Sequence, residues 1–340
     1  MLRRNSAFTL AAVLSFLALS LPARPQQTPR QRHFTFHYAF TVKDVPAGKP
    51  LRVWIPAAHS DAFQVVHIVS KTGSLNLRQT QDDRGNEILY TETSKADGSD
   101  YRFAIDYDVV RYEHIALVNS KLAPGVRPER TSKAVQARYL QPDRLVPTTG
   151  VPADLAAEQT RNASSQLDKA RAIYDYVFRT MRYDKSGTGW GHGDTLWACD
   201  SKRGNCTDFH SVFMSMVRSQ RIPARFSIGF PLPAGQHSAE VPGYHCWAEF
   251  YVDQLGWIPV DISEAWKHPE LKDYFFGAHD ANRFQLTTGR DLTLSPAQAG
   301  PPLNYFVYPY VEVEGREYSN VSTDFSFRDL EPSAVSSTEK

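Results

Sequence analysis

Three residues in this 340-residue chain are of types and in settings that could do covalent chemistry: Cys206, His245 and Asp261. Cys206 lies in Arg203-Gly204-Asn205-Cys206-Thr207-Asp208, directly before the amphipathic run Phe209, Val212, Phe213, Met216 and Val217. Asn205 is a good helix N-cap, and Asp208 three residues on comes close to a capping box. That spacing predicts Cys206 in the first helical turn, at the positive end of the helix dipole. The dipole contributes about 0.3–1 kcal/mol, which is under about 0.7 pKa unit. It cannot by itself bring a thiol from about 8.5 to well below 7, whereas a neighbouring imidazolium can. A nucleophilic Cys206 therefore requires a histidine.

His210 lies on the same helix but abuts its apolar face and reads as structural, while His192 and His237 fall in loops. His245 opens the strand "HCWAEFYV". There Cys246, Ala248, Phe250 and Val252 form an apolar face, and His245, Trp247, Glu249 and Tyr251 form the other. Asp261 follows in "GWIPVDI", sixteen residues after His245 and across a short turn near Gly256. A two-residue turn would put Asp261 on the apolar face, burying an unpaired charge. A three- or five-residue loop, or a bulge, puts it beside His245, and Gly256 favours such a loop. Nucleophile, base and orienting carboxylate would then come in the order Cys, His, Asp.

The thiols have other readings. Three cysteines leave at least one unpaired, and in an oxidising compartment Cys199–Cys246 is a more probable disulfide than Cys199–Cys206. Cys199 and Cys206 are separated by six residues and no Cys-x-x-Cys unit is present, so no metal is expected. Asn205-Cys206-Thr207 also matches a glycosylation sequon, a motif common by chance.

The elements that must position these residues divide the chain. Met1-Leu2-Arg3-Arg4 heads a stretch from Ala7 to Leu21 that is apolar except at Thr9, Ser15 and Ser20. This reads as a signal peptide over 1–23 followed by a linker over 24–32, with a periplasmic or secreted location. "HFTFHYAFTV", "LRVWIPA", "QVVHIVS" and "RFAIDYDVVRYE", separated by turn formers, predict a sandwich-like all-β domain over 33–146. Helical periodicity starts after Pro147, with Ser164 or Ser165 capping a helix that carries Leu167, Ala170, Tyr174, Val177, Phe178 and Met181. Strands follow the cysteine helix, giving an α+β catalytic domain over 147–328 and a disordered tail over 329–340. The net charge of +1, without a basic stripe, argues against nucleic-acid partners.

"GNCTDFHSVFMSMVRSQRIPARFSIGFPLP" and "GYHCWAEFYVDQLGWIPVDISEA" together resemble the transglutaminase-like superfamily, specifically its exported bacterial members. The resemblance spans roughly 151–309. It implies a papain-like core, with the cysteine on a helix packed against an antiparallel sheet that bears His and Asp. It also implies Cys206 as nucleophile, His245 as base and Asp261 as orienting residue. No Asp-x-Asp-x-Asp-Gly loop occurs, so the calcium requirement of animal members is not carried over, and no cofactor is expected. The implied chemistry is acyl transfer or hydrolysis at a carboxamide, peptide or isopeptide bond of a protein or peptide substrate, cell-wall peptide included. Trp190 and Trp197 are candidate oxyanion donors beside the Cys206 N–H. The rival reading is a non-catalytic extracytoplasmic binding or assembly module that uses the papain-like core as scaffold.

Overall fold

The computed structural model describes residues 30–330. The expected signal peptide, most of the linker and most of the tail lie outside the described residues.

Alternation in the N-terminal strands produces two antiparallel five-stranded sheets. The first runs Ser238–Glu240, Val321–Asp329, Gln31–Val42, Tyr101–Tyr112, Gln64–Gly73. The second runs Arg316–Glu317, Tyr310–Val313, Leu51–Ala57, Glu87–Thr93, Arg78–Gln81. Phe34, Phe36, Tyr38 and Phe40 of the first sheet share one buried core with Leu51, Val53 and Ile55 of the second, as period-2 patterning requires. Both sheets take strands from both ends of the chain, so the expected sequential boundary at 147 does not describe them. Gln31 and Arg32, expected in the linker, begin a strand, and Asp329, expected in the tail, ends one. The reason is a clamp: Arg32 Nε donates to Asp329 Oδ1 at 2.8 Å, and Arg32 NH1 donates to Asn282 Oδ1 at 2.9 Å.

A third sheet of four strands carries the site, in the order Gly256–Val260, His245–Val252, Ala224–Pro231, Arg283–Thr288. Helix Cys206–Ser219 lies on one face of it, with Phe213 edge-on to Phe250 at 6.0 Å. Helix Gln166–Thr180 starts at Ser165, whose side chain accepts from the Asp168 N–H, and it packs Tyr174 against Phe276. Phe36 of the first sheet stacks on Phe230 at 5.0 Å, so the β-sandwich and the papain-like core share a continuous apolar interior. Among the described residues, no helix is long and apolar enough to cross a membrane.

Candidate active site

Asn205 caps the cysteine helix as expected. Its side chain accepts from the Thr207 N–H at 2.9 Å, and Asp208 Oδ2 accepts from the Asn205 N–H at 2.9 Å. A cap of this kind contributes about 1 kcal/mol. Cys206 is thereby fixed as the first helical residue, 2 % exposed. Asp208 does more than cap. Its carboxylate also accepts from the N–H groups of Gly191 at 2.7 Å and Gly193 at 2.9 Å, pinning the glycine-rich segment beside the cysteine. Gly204 has φ +148°, and a Cβ there would lie 2.2 Å from Asp208 Oδ2, so only glycine admits this approach.

The turn between the two site strands has three residues, Asp253 to Leu255, with Val252 paired to Gly256. Gly256 has φ +78°, and a Cβ there would meet the Glu129 N–H nitrogen at 2.7 Å. This odd register carries Asp261 just beyond the strand end, onto the His245 side. Asp261 becomes the N-cap of the short helix Ile262–Lys267. His245 Nε2 and Asp261 Oδ2 are 2.7 Å apart, and Arg283 NH1 donates to the same oxygen at 2.9 Å. Oδ1 accepts from Ser263 Oγ at 3.0 Å and the Glu264 N–H at 3.1 Å. Every lone-pair direction of a fully buried carboxylate is thus used, which is what makes its burial affordable.

Burial alone would raise the Cys206 pKa, but its neighbours Cys246 and His245, the latter with its imidazolium charge, bring it well below the usual thiol value. Burial alone would lower His245. The Asp261 charge and hydrogen bond, together with Cys206, outweigh it and push His245 up to about 10. Asp261 is held well below the ordinary carboxylate value by His245, Arg283 and His210, against the effect of burial. These directions favour thiolate on Cys206 and imidazolium on His245, beside the Asp261 carboxylate.

The three candidate triad residues are therefore brought together, while the two tryptophans are not part of the cluster. The Trp190 indole donates to the Gly187 carbonyl at 3.2 Å. Trp197 packs under Gly189, where a Cβ would meet its indole nitrogen at 2.5 Å, and Arg203 lies over its ring. The Cys199–Cys246 pairing that the sequence left open is not formed, and all three cysteines are free. Cys199 sits half-buried on helix Thr195–Ser201, whereas Cys246 faces the cysteine helix, 3.8 Å from Thr207 Oγ1 and from His210 Nδ1.

His210 is structural, as read from its position. Its Nε2 accepts from the Ile262 N–H at 3.1 Å, joining the cysteine helix to the helix that Asp261 caps. The face of the His245 strand bearing Trp247 and Glu249, opposite the apolar one, is buried as well. Arg283 was not foreseen, since a lone arginine at a strand start carries no motif. Tyr244 was also missed. Its hydroxyl meets Asn205 Nδ2 at 2.9 Å and Thr207 Oγ1 at 2.8 Å, next to Cys206, and its ring contacts Tyr305 and Tyr308.

Residues 153–262 match the family described as the transglutaminase-like superfamily. A Haemophilus influenzae protein described as uncharacterised is 26% identical over 317 residues, covering 83% of this chain and 85% of the relative. The uncharacterised protein YebA of Bacillus subtilis is 25% identical over 147 residues, 39% of this chain and 20% of YebA. Among solved structures, a Cytophaga hutchinsonii protein named as a candidate cysteine protease aligns with a TM-score of 0.58 at 15% identity, covering 89% of this chain and 92% of its own. That likeness extends the shared fold across both the β-sandwich and the core.

Proposed function

From a chain whose residues 153–262 match the transglutaminase-like superfamily, we propose a cysteine-dependent acyl transferase or hydrolase in which Cys206, His245 and Asp261 act as a triad. One observation carries this reading: His245 Nε2 is 2.7 Å from a buried and fully satisfied Asp261, while the same imidazole neighbours the Cys206 thiol and lowers its pKa. That is the geometry of an activated nucleophile with a held base.

The Cys206 thiolate attacks the carbonyl carbon of a carboxamide or peptide bond. The carbonyl π pair moves to oxygen, giving a tetrahedral oxyanion. The N–H of Cys206, free of an intrahelical partner in the first turn, is placed to donate to it. Collapse expels the amine, which takes the imidazolium proton of His245 and leaves a thioester on Cys206. Water or a second amine then attacks, giving its proton to His245, and a second collapse restores the thiolate. Asp261 keeps the imidazole in the tautomer that serves both steps, and Arg283 holds Asp261. Tyr244, Tyr305 and Tyr308 form an aromatic wall near the thiol, suited to the flanks of a peptide segment. The substrate is a protein or peptide, cell-wall peptide included. The N-terminal sequence supports a periplasmic or secreted site of action.

The test is competitive alkylation of the native chain with iodoacetamide at neutral pH, read by peptide mapping. Cys206 should label far ahead of Cys199, whose pKa is pushed up to about 11 by burial, and of Cys246, which is raised well above the ordinary value. Labelling led by Cys199 or Cys246 would favour the scaffold reading.

A further inference from the structure

The buried face of the His245 strand ends in a cluster that the triad does not use. His114 and His279 face each other across a two-residue antiparallel ladder, and Glu249 reaches them from the strand beside it. One ligand atom from each of the three lies within 4.8 Å of the other two. We propose that His114, Glu249 and His279 bind one first-row divalent cation, zinc fitting the donor set best, as a structural cross-link between the sandwich and the catalytic sheet.

Four observations support the site. First, His114 Nδ1 and both ring nitrogens of His279 are buried without a hydrogen-bond partner. Leaving such a group unmet costs about 1–3 kcal/mol, and one cation would meet His114 Nδ1 and one of the two His279 nitrogens. Second, His114 Nδ1 stands 3.9 Å from Glu249 Oε1. That is too long for a hydrogen bond. Ligands at about 2.0–2.2 Å from a tetrahedral zinc lie roughly 3.3–3.6 Å apart, so small side-chain rotations close the site. Third, two imidazoles and one carboxylate are the protein donor set that zinc takes in known three-ligand sites, where a water completes the tetrahedron.

Fourth, the electrostatics leave one carboxylate oxygen free for the ion. Arg111, Arg225 and Arg283 all face the cluster. Arg225 is committed to Glu249 Oε2, which leaves Oε1 toward the histidines. Arg283 is committed to Asp261 and Asp280. Phe63 stacks on His114 at 3.5 Å and Trp247 lies edge-on to His279, closing the site as a structural ion requires. The cation would tie the segment leaving strand Tyr101–Tyr112 to the strand that carries His245.

The experiment uses the full chain in the Cys206→Ala background, so that the triad thiolate cannot hold metal. The protein is stripped with a chelator, and zinc is titrated by calorimetry. Cobalt substitution is followed by absorption. The expected result is one zinc per chain and a raised Tm. Cobalt should give tetrahedral d–d bands without a sulfur-to-metal charge-transfer band. His279→Gln should cut zinc affinity by more than about 100-fold, beyond what loss of an outer-shell partner does. If His279→Gln does not fold, X-ray absorption of the zinc-loaded background protein decides, through histidine scattering at about 2.0–2.1 Å. Absence of binding overturns the proposal and assigns the orphan nitrogens to water. Affinity unchanged by His279→Gln and His114→Gln, or a sulfur-dominated zinc shell, also overturns it.

Discussion

Asp261→Asn tests the linkage between the carboxylate and the thiol. Oδ2 accepts from both His245 and Arg283, and Oδ1 accepts from Ser263 and the Glu264 N–H. An amide has one accepting oxygen. Placed toward Ser263 and Glu264, it turns its NH2 on His245 Nε2, which must then accept. The proton moves to Nδ1 and the imidazole can no longer serve as base, the outcome that costs about 10⁴ in kcat when the aspartate of a serine-protease triad is amidated. The imidazolium charge is lost with it. The gap between the ordinary 6.5 and about 10 for His245 corresponds to at most about 5 kcal/mol of preference for the charged form, much of it from Asp261. Without imidazolium the Cys206 thiol drifts back toward about 8.5, so at pH 6 its thiolate falls to roughly one part in 300.

The sign is fixed by the direction of the shift. The wild-type thiol is lowered, so thiolate is present above that low value and is lost only as pH falls through it. Iodoacetamide alkylation of Cys206, followed from pH 5 to pH 9, should be nearly flat in the wild type. In Asp261→Asn it should rise about tenfold per pH unit and be down about 10²-fold at pH 6. Far-UV circular dichroism checks the fold, since Arg283 keeps Asp280 as a partner. A variant with the wild-type profile would refute the reasoning and leave the depressed thiol without its stated cause.

Cys206→Ala should abolish turnover while shifting Tm by only a few degrees, because a first-turn position tolerates alanine; a thermal melt beside the activity assay checks both. Gly204→Ala should destabilise the fold by more than about 2 kcal/mol in urea unfolding and slow Cys206 alkylation, since its Cβ would displace Asp208 from the cap. Cys246→Ala should leave Cys206 the fastest-labelled thiol but move its alkylation midpoint to higher pH, because the neighbouring Cys246 thiol helps to lower it. Acyl transfer should hold a plateau through neutral pH and decline as pH rises through about 10: His245 is raised, so its proton is retained below that value and lost above it.

Much of the site was legible because its determinants are local. Asn205 and Asp208 announce the helix start. The two-residue alternation from His245 to Val252 assigns faces, and Gly256 signals the odd loop that brings Asp261 to His245. What was hidden depends on residues far apart in the chain. Arg283 reaches Asp261 from a separate strand, and Cys246 meets Cys206 only because the helix start lands over the strand's first two residues. The sandwich was read from its N-terminal strands, yet Val321–Asp329 and Tyr310–Val313 return from the far end to complete its sheets. A pattern of alternation cannot say which strand will be its neighbour. For the same reason the burial of the His245, Trp247 and Glu249 face was not legible: the groups that cover it, His114 and His279 among them, lie more than a hundred residues upstream or some thirty downstream.

The central claim is that Cys206 forms an acyl-enzyme, and a reactive acyl donor tests it without knowledge of the natural substrate. The native chain is mixed with an excess of a p-nitrophenyl ester, nitrophenolate release is followed by stopped flow, and the quenched protein is mapped by mass spectrometry. The account predicts a burst of one nitrophenolate per chain and one hydroxylamine-labile acyl group on Cys206, with both absent in Cys206→Ala. Release without a burst, or an acyl group carried by another residue while Cys206 stays free, would contradict it.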